Sequence, residues 1–142
     1  MTFSNPTIEE IKEILKTVKH IAIVGISDKP ERASFQAASY LQSHGYKIFP
    51  VNPILKEVLG EKVYPTLQDI QQKVDIAVIF RRPEEVLVHM KEVLRRGGIK
   101  TVWLQEGVNS VEAEDFAQDY GIDMVTNFCI MEAHKKMEQY QI

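Results

Sequence analysis

Apolar positions change rhythm several times along the chain, and each change marks an element. Between residues 8 and 18, Ile8, Ile11, Ile14 or Leu15, and Val18 recur at helical spacing. Thr7, with Glu10 three residues on, supplies a capping box at the start. Next, "HIAIVGI" (20–26) runs apolar, short and β-branched, as a strand buried on both faces does. That signature returns in "YKIFPV" (46–51), "VDIAVIF" (74–80), "KTVWL" (100–104) and, more weakly, "GIDMV" (121–125).

Helical patterns fill the gaps. Ser34 to His44 puts Phe35, Ala38 and Leu41 on one face and meets Gly45 at its C-terminal cap. Pro83 opens the next helix where its missing N–H costs nothing. Val86, Met90, Val93 and Leu94 form its inner face, and Gly97-Gly98 ends it. Asn109 and Glu112 cap another, which buries Phe116 and Ala117 before Gly121, and "MEAHKKMEQY" (131–140) is the last. Strand and helix in alternation predict an α/β fold of parallel strands joined by right-handed crossovers. The expected architecture is a three-layer sandwich on a five-stranded parallel sheet, order 3-2-1-4-5. The connection over 52–73 holds only short helical pieces and is expected to be partly irregular. Ligands in such sheets lie at the carboxyl ends of the strands, here beside the switch expected between the first and fourth strands.

Composition narrows the field. A chain of 142 residues, 44% hydrophobic and 26% charged, fits one domain over 1–142 with one core. A net charge of −3 offers no electrostatic footprint for nucleic acid. No apolar run approaches the ~20 residues of a membrane span, and "MTFSNPTIEEIKEIL" lacks the basic start of a signal peptide. A single cysteine, Cys129, excludes an internal disulfide and a multi-cysteine zinc cage. A cytoplasmic protein without membrane or nucleic-acid partner is expected; homo-oligomerisation stays open.

The strand ends carry the chemistry. After the first, Gly25 and Ser27 open a small polar loop where a phosphate could approach the backbone, with Lys29 and Arg32 in reach. Only one glycine of a G-x-G-x-x-G fingerprint is present, so an ordinary strand-to-helix turn is the alternative. The second strand ends in Val51-Asn52-Pro53, followed by Lys56, with no carboxylate at the tip. This favours a nucleotide bearing a ribose phosphate, NADP or coenzyme A, over NAD; a plain Asn-Pro turn is the alternative. The third ends in "FRRPEE", where Arg81 and Arg82 suit phosphate or else pair with Glu84, Glu85 or a neighbouring chain. The fourth ends in "WLQEGV": Gln105 offers an amide, Gly107 a close backbone approach, and Glu106 would repel phosphate. Cys129 and His134 lie five residues apart, not squarely on one helical face, and a buried, inert cysteine is the favoured reading. His20, His44 and His89 fall away from the strand tips, and no metal-ligand spacing occurs. The residues argue for a binding module rather than an enzyme.

"IAIVGISDKPERASFQAASYLQSHGYKIFPVNP", "GEKVYPTLQDI", "DIAVIFRRPEEV", "VWLQEGV" and "CIMEAH" together resemble the small stand-alone CoA-binding proteins. These are similar in turn to the CoA-binding domain of the succinyl-CoA synthetase alpha subunit. The resemblance implies a Rossmann-like fold and binding of coenzyme A or acyl-CoA. It places Gly25, Ile26 and Ser27 at the diphosphate beside Lys29 and Arg32, and Val51, Asn52 and Pro53 at the adenosine. Lys56 falls to the 3′-phosphate; Phe80, Arg81, Arg82 and Pro83, with Gln105, Glu106 and Gly107, fall to the pantetheine side. The synthetase's phosphorylated histidine lies outside these segments, so no ligase activity is implied. Two departures stand out: Phe128 where relatives carry a basic residue before the cysteine, and Ala33 where they carry proline. An NADP-linked oxidoreductase subunit is the competing reading, and a mixed disulfide between Cys129 and coenzyme A a third.

Overall fold

The computed structural model describes residues 3–139. In chain order it contains α1 (Ile8–Thr17), β1 (His20–Val24), α2 (Ala33–Ser43) and β2 (Lys47–Val51). A short hairpin, β3 (Glu57–Val58) and β4 (Glu61–Lys62), and a 3₁₀ turn (Leu67–Asp69) follow. The rest is β5 (Ile76–Ile79), α3 (Pro83–Arg96), β6 (Thr101–Leu104), α4 (Val111–Tyr120), β7 (Asp123–Val125) and α5 (Ile130–Gln139).

Strand residues alternate between two cores because successive side chains leave a sheet on opposite faces. Ile21, Ile23, Ile76, Val78, Trp103 and Val125 join Leu15 of α1, Leu41 of α2 and Met137 of α5. Ala22, Val24, Ala77, Ile79, Val102 and Leu104 join Val86 and Met90 of α3, Ala117 of α4 and Leu67 of the 3₁₀ turn. The continuous apolar runs are thus a consequence of burial on both sides, as the three-layer α/β expectation requires.

All five long strands are parallel, in the order β2-β1-β5-β6-β7. Numbered along the chain this is 2-1-3-4-5, which corrects the expected 3-2-1-4-5: the third long strand pairs with the first, Ile21 opposite Ile76. The outer edge of β2 is already taken. Tyr64 donates its N–H to Pro50 O (2.9 Å) and accepts from Asn52 N (3.0 Å), laying the connection along the flank where the third strand was expected. Pro50, lacking an N–H, fits that flank because a ladder needs no donor from it there. The reversal of strand order therefore falls between β1 and β5, not between the first and fourth strands.

Helix limits follow local chemistry. Thr7 and Glu10 form the expected capping box. α2 begins at Ala33, one residue early, with Arg32 as an N-cap that makes no side-chain bond. Ser110, rather than Asn109, caps α4, its hydroxyl accepting from Ala113 N at 3.1 Å. α5 begins at Ile130; Tyr140, the end of the expected last helix, lies outside the described residues.

Candidate functional site

A cleft of about 1030 Å³ opens at the carboxyl ends of β1, β5 and β6, over the reversal point. At its floor Gly25 adopts φ +85°, and a Cβ there would stand 2.5 Å from Phe80 O and 2.9 Å from Arg81 Cδ. The glycine is needed for the close approach of the chain leaving β5. The N–H groups of Gly25 and Ile26 both donate to Val51 O, at 2.9 and 3.3 Å, and the Ile26 side chain is fully buried. Neither amide is free for a diphosphate, which corrects that expectation: the parallel ladder with β2 continues one step past the strand and consumes them.

Open donors stand one turn further on. Ser34 Oγ accepts from Ser27 N (3.0 Å) and Ser27 Oγ from Lys29 N (3.0 Å), which folds the loop back onto the start of α2. Since Arg32 contributes no side-chain cap, the first-turn N–H groups of Ala33, Ser34 and Phe35 meet no acceptor among the described residues. Lys29 and Arg32 line the same wall, and neither is ion-paired among the described residues. Positive helix end and unpaired cations together make that wall anion-attracting.

At the opposite rim, Arg81 and Arg82 both turn to Glu85. Arg81 Nη2 bonds Glu85 Oε2, and Arg82 Nε reaches Glu85 Oε1 at 2.8 Å. Hydrogen bonding from Arg82 is the main cause that holds the Glu85 carboxyl below its ordinary range; burial opposes it, and the Arg81 hydrogen bond and both guanidinium charges add to the lowering. The pairing weighed as an alternative in the sequence is the one found. Both arginines still line the cleft, their side chains 41% and 76% exposed.

The end of β6 contributes Gln105 and Glu106. Gln105 is only 8% exposed, and its Oε1 accepts from Ile130 N (3.1 Å), the first amide of α5. Its Nε2 has no partner among the described residues. Cys129 lines the cleft beside it, half-buried rather than enclosed, which corrects the expectation of an inert core thiol. His134 is not its base: the imidazole Nδ1 sits 2.8 Å from the Tyr40 hydroxyl, and Nε2 faces Glu138 at 3.6 Å.

The remaining expected residues are not part of the cleft wall. Val51 is buried, while Pro53 and Lys56 are exposed at the tip of β2, outside the cleft lining. Asn52 is a brace: Nδ2 donates to Ile26 O (2.9 Å) while Oδ1 accepts from Ile54 N and Leu55 N (2.8 and 3.1 Å). Gly107 also stays outside the lining; at φ +84° its N–H donates to Asn127 Oδ1 (2.9 Å). Of the expected set, Gly25, Ser27, Lys29, Arg32, Phe80, Arg81, Arg82, Pro83, Gln105 and Glu106 converge on the cleft. Ser34, Val108 and Glu85 join them without having been singled out as ligand-facing. The position of Glu85, four residues after Arg81 on one helix face, was the available signal for it.

Comparison with known proteins finds relatives that span most of the chain. The profile of the CoA binding domain family matches residues 19–135. The uncharacterized protein YneT of Bacillus subtilis (strain 168) is 38% identical over 130 residues, spanning 92% of this chain and 96% of that one. The structure of a hypothetical protein from Pyrococcus horikoshii OT3 superposes with a TM-score of 0.89 at 37% identity, covering 97% of this chain and 99% of the other. The ADP-forming acetate–CoA ligase of Methanocaldococcus jannaschii is 28% identical over 126 residues, which span 82% of this chain but 18% of the ligase.

Proposed function

The chain belongs to the CoA binding domain family, and on that premise we propose that it binds coenzyme A or an acyl-CoA in the cytoplasm without turning it over. One observation carries the reading. At the reversal point of the sheet, unpaired Lys29 and Arg32 stand with the uncapped amides of α2, a combination suited to a diphosphate. The ligand's diphosphate rests on that wall rather than on the amides of Gly25 and Ile26. Arg81 and Arg82 exchange part of their hold on Glu85 for ligand oxygens, and Gln105 Nε2 donates to a pantetheine carbonyl. Lys56, exposed past β2, takes the 3′-phosphate. Support for binding without turnover comes from His134, whose imidazole faces Tyr40 and Glu138 rather than Cys129.

Isothermal titration with coenzyme A, dephospho-coenzyme A and NADP tests the assignment. Coenzyme A binds tightest, and Arg32→Ala weakens it by about tenfold, the scale of one charge-assisted contact to phosphate. Equal affinity for coenzyme A and its dephospho form would remove Lys56 from the site. Absence of heat with coenzyme A, or preference for NADP, refutes the function itself.

A further inference from the structure

Gln105 and Cys129 form a juxtaposition that ligand binding alone does not use. Three contacts pin the segment between β7 and α5. Trp103 Nε1 donates to Phe128 O at 2.6 Å, Ile130 N donates to Gln105 Oε1 at 3.1 Å, and Ala133 N donates to Cys129 O at 2.9 Å. Cys129 thus sits between two anchored residues, its half-buried side chain lining the cleft. Next to it, a carboxamide more than nine-tenths buried keeps its Nε2 unpartnered among the described residues while lining the same cleft. That nitrogen is not itself enclosed, so an acceptor entering the cleft can reach it, and no protein atom among the described residues occupies it.

We infer that Cys129 is a thiol-exchange site that forms a mixed disulfide with coenzyme A when the ligand arrives as its disulfide. The inference rests on the proposed binding of coenzyme A. The pantetheine arm ends in an amide carbonyl separated from the sulfur by the amide nitrogen and two methylenes. A carbonyl accepting from Gln105 Nε2 brings that sulfur to the residue beside Ile130. The Cys129 thiol gives up its proton to solvent and its sulfur attacks one sulfur of the ligand disulfide. The ligand S–S bond breaks as the Cys129–coenzyme A S–S bond forms, and the departing half leaves as a thiolate that takes up a proton. Cys129 is oxidised and the departing coenzyme A reduced, so the ligand disulfide is the sole oxidant.

Intact-mass measurement of the reduced full chain, mixed with coenzyme A disulfide or with the same concentration of glutathione disulfide, tests this. Cys129 is the chain's one cysteine, so any disulfide adduct reports on it. The expected result is one coenzyme A per chain, reversed by dithiothreitol, formed at least about tenfold faster than the glutathione adduct because the bound sulfur is held in place. Excess desulfo-coenzyme A slows it, and Cys129→Ser abolishes it. Gln105→Glu keeps an acceptor for the α5 amide but removes the donor, and shrinks the preference for coenzyme A disulfide. Equal rates with both disulfides, or an undiminished preference in Gln105→Glu, overturn the inference. Titration of Cys129→Ser with desulfo-coenzyme A separates the two readings. Heat of binding without an adduct in the native chain sinks the exchange site alone, whereas no heat sinks the function beneath it.

Discussion

Replacing Gly25 by alanine measures how tightly β1 and β5 converge beneath the cleft. Two costs add at this position. The first is the left-handed backbone, φ +85°, worth roughly 1–2 kcal/mol for a residue with a Cβ. The second is steric: the new methyl would stand 2.5 Å from Phe80 O, nearly an ångström short of ordinary contact. Phe80 cannot simply retreat, since its N–H donates to Val24 O at 2.8 Å and ties the exit of β5 to β1. Forcing that backbone apart costs roughly a further 1–3 kcal/mol, as overpacking of a close-packed interior does. Gly45 supplies the control. It has φ +91°, yet a Cβ there meets nothing within 4 Å, so Gly45→Ala incurs the conformational cost alone. The loss of unfolded-state freedom on going to alanine is common to both and cancels. Thermal melts followed by far-ultraviolet circular dichroism, with the buried Trp103 as a fluorescent reporter, give the comparison. At roughly 2–4 °C per kcal/mol, Gly25→Ala should melt about 2–12 °C below Gly45→Ala. Equal Tm values for the two variants would refute the close approach of Phe80 to Gly25.

Asn52→Ala removes the bond to Ile26 O and the acceptor for two loop amides, and should destabilise the fold by about 1–3 kcal/mol in urea titrations; an unchanged midpoint would show that the brace bears no strain. Glu85→Gln frees Arg81 and Arg82 from a competing carboxylate, so coenzyme A binding should tighten by up to about fivefold with little change in Tm; weaker binding would show that Glu85 positions the arginines instead. Burial and the nearby His44 hold the His134 imidazole below its ordinary value, against an opposing pull from Glu138. The unfolded chain therefore takes up a proton first: this contribution to stability is intact above about pH 6.5 and is lost as the pH falls through the folded value. Nuclear magnetic resonance titration showing His134 protonated at or above about 6.5 would contradict it.

The strands were readable because burial on both faces writes an unbroken apolar run, and His20–Val24 and Ile76–Ile79 lie inside the predicted segments. Their order was not readable. It depends on Tyr64 occupying the flank of β2 through main-chain bonds, which leave no mark on residue type. Gly25 was singled out for the approach of a ligand, and the structure brings Phe80 against it, since a glycine signals close approach without saying what approaches. The amides of α2 escaped notice for a related reason: an empty N-cap at Arg32 is visible only once the helix start is fixed. Side chains fared better, because Lys29, Arg32, Arg81 and Gln105 follow strands whose ends the pattern had already located.

The strip of main chain from Lys62 to Tyr64 has a bearing on solubility. A parallel sheet normally ends in a row of unsatisfied peptide groups that another polypeptide can copy, the first step of ordered aggregation. Here one margin is shielded by Tyr64 and its hairpin, and the far margin, β7, is three residues long. Copies of this chain are thereby discouraged from zipping strand to strand, and any self-association is left to its helical faces.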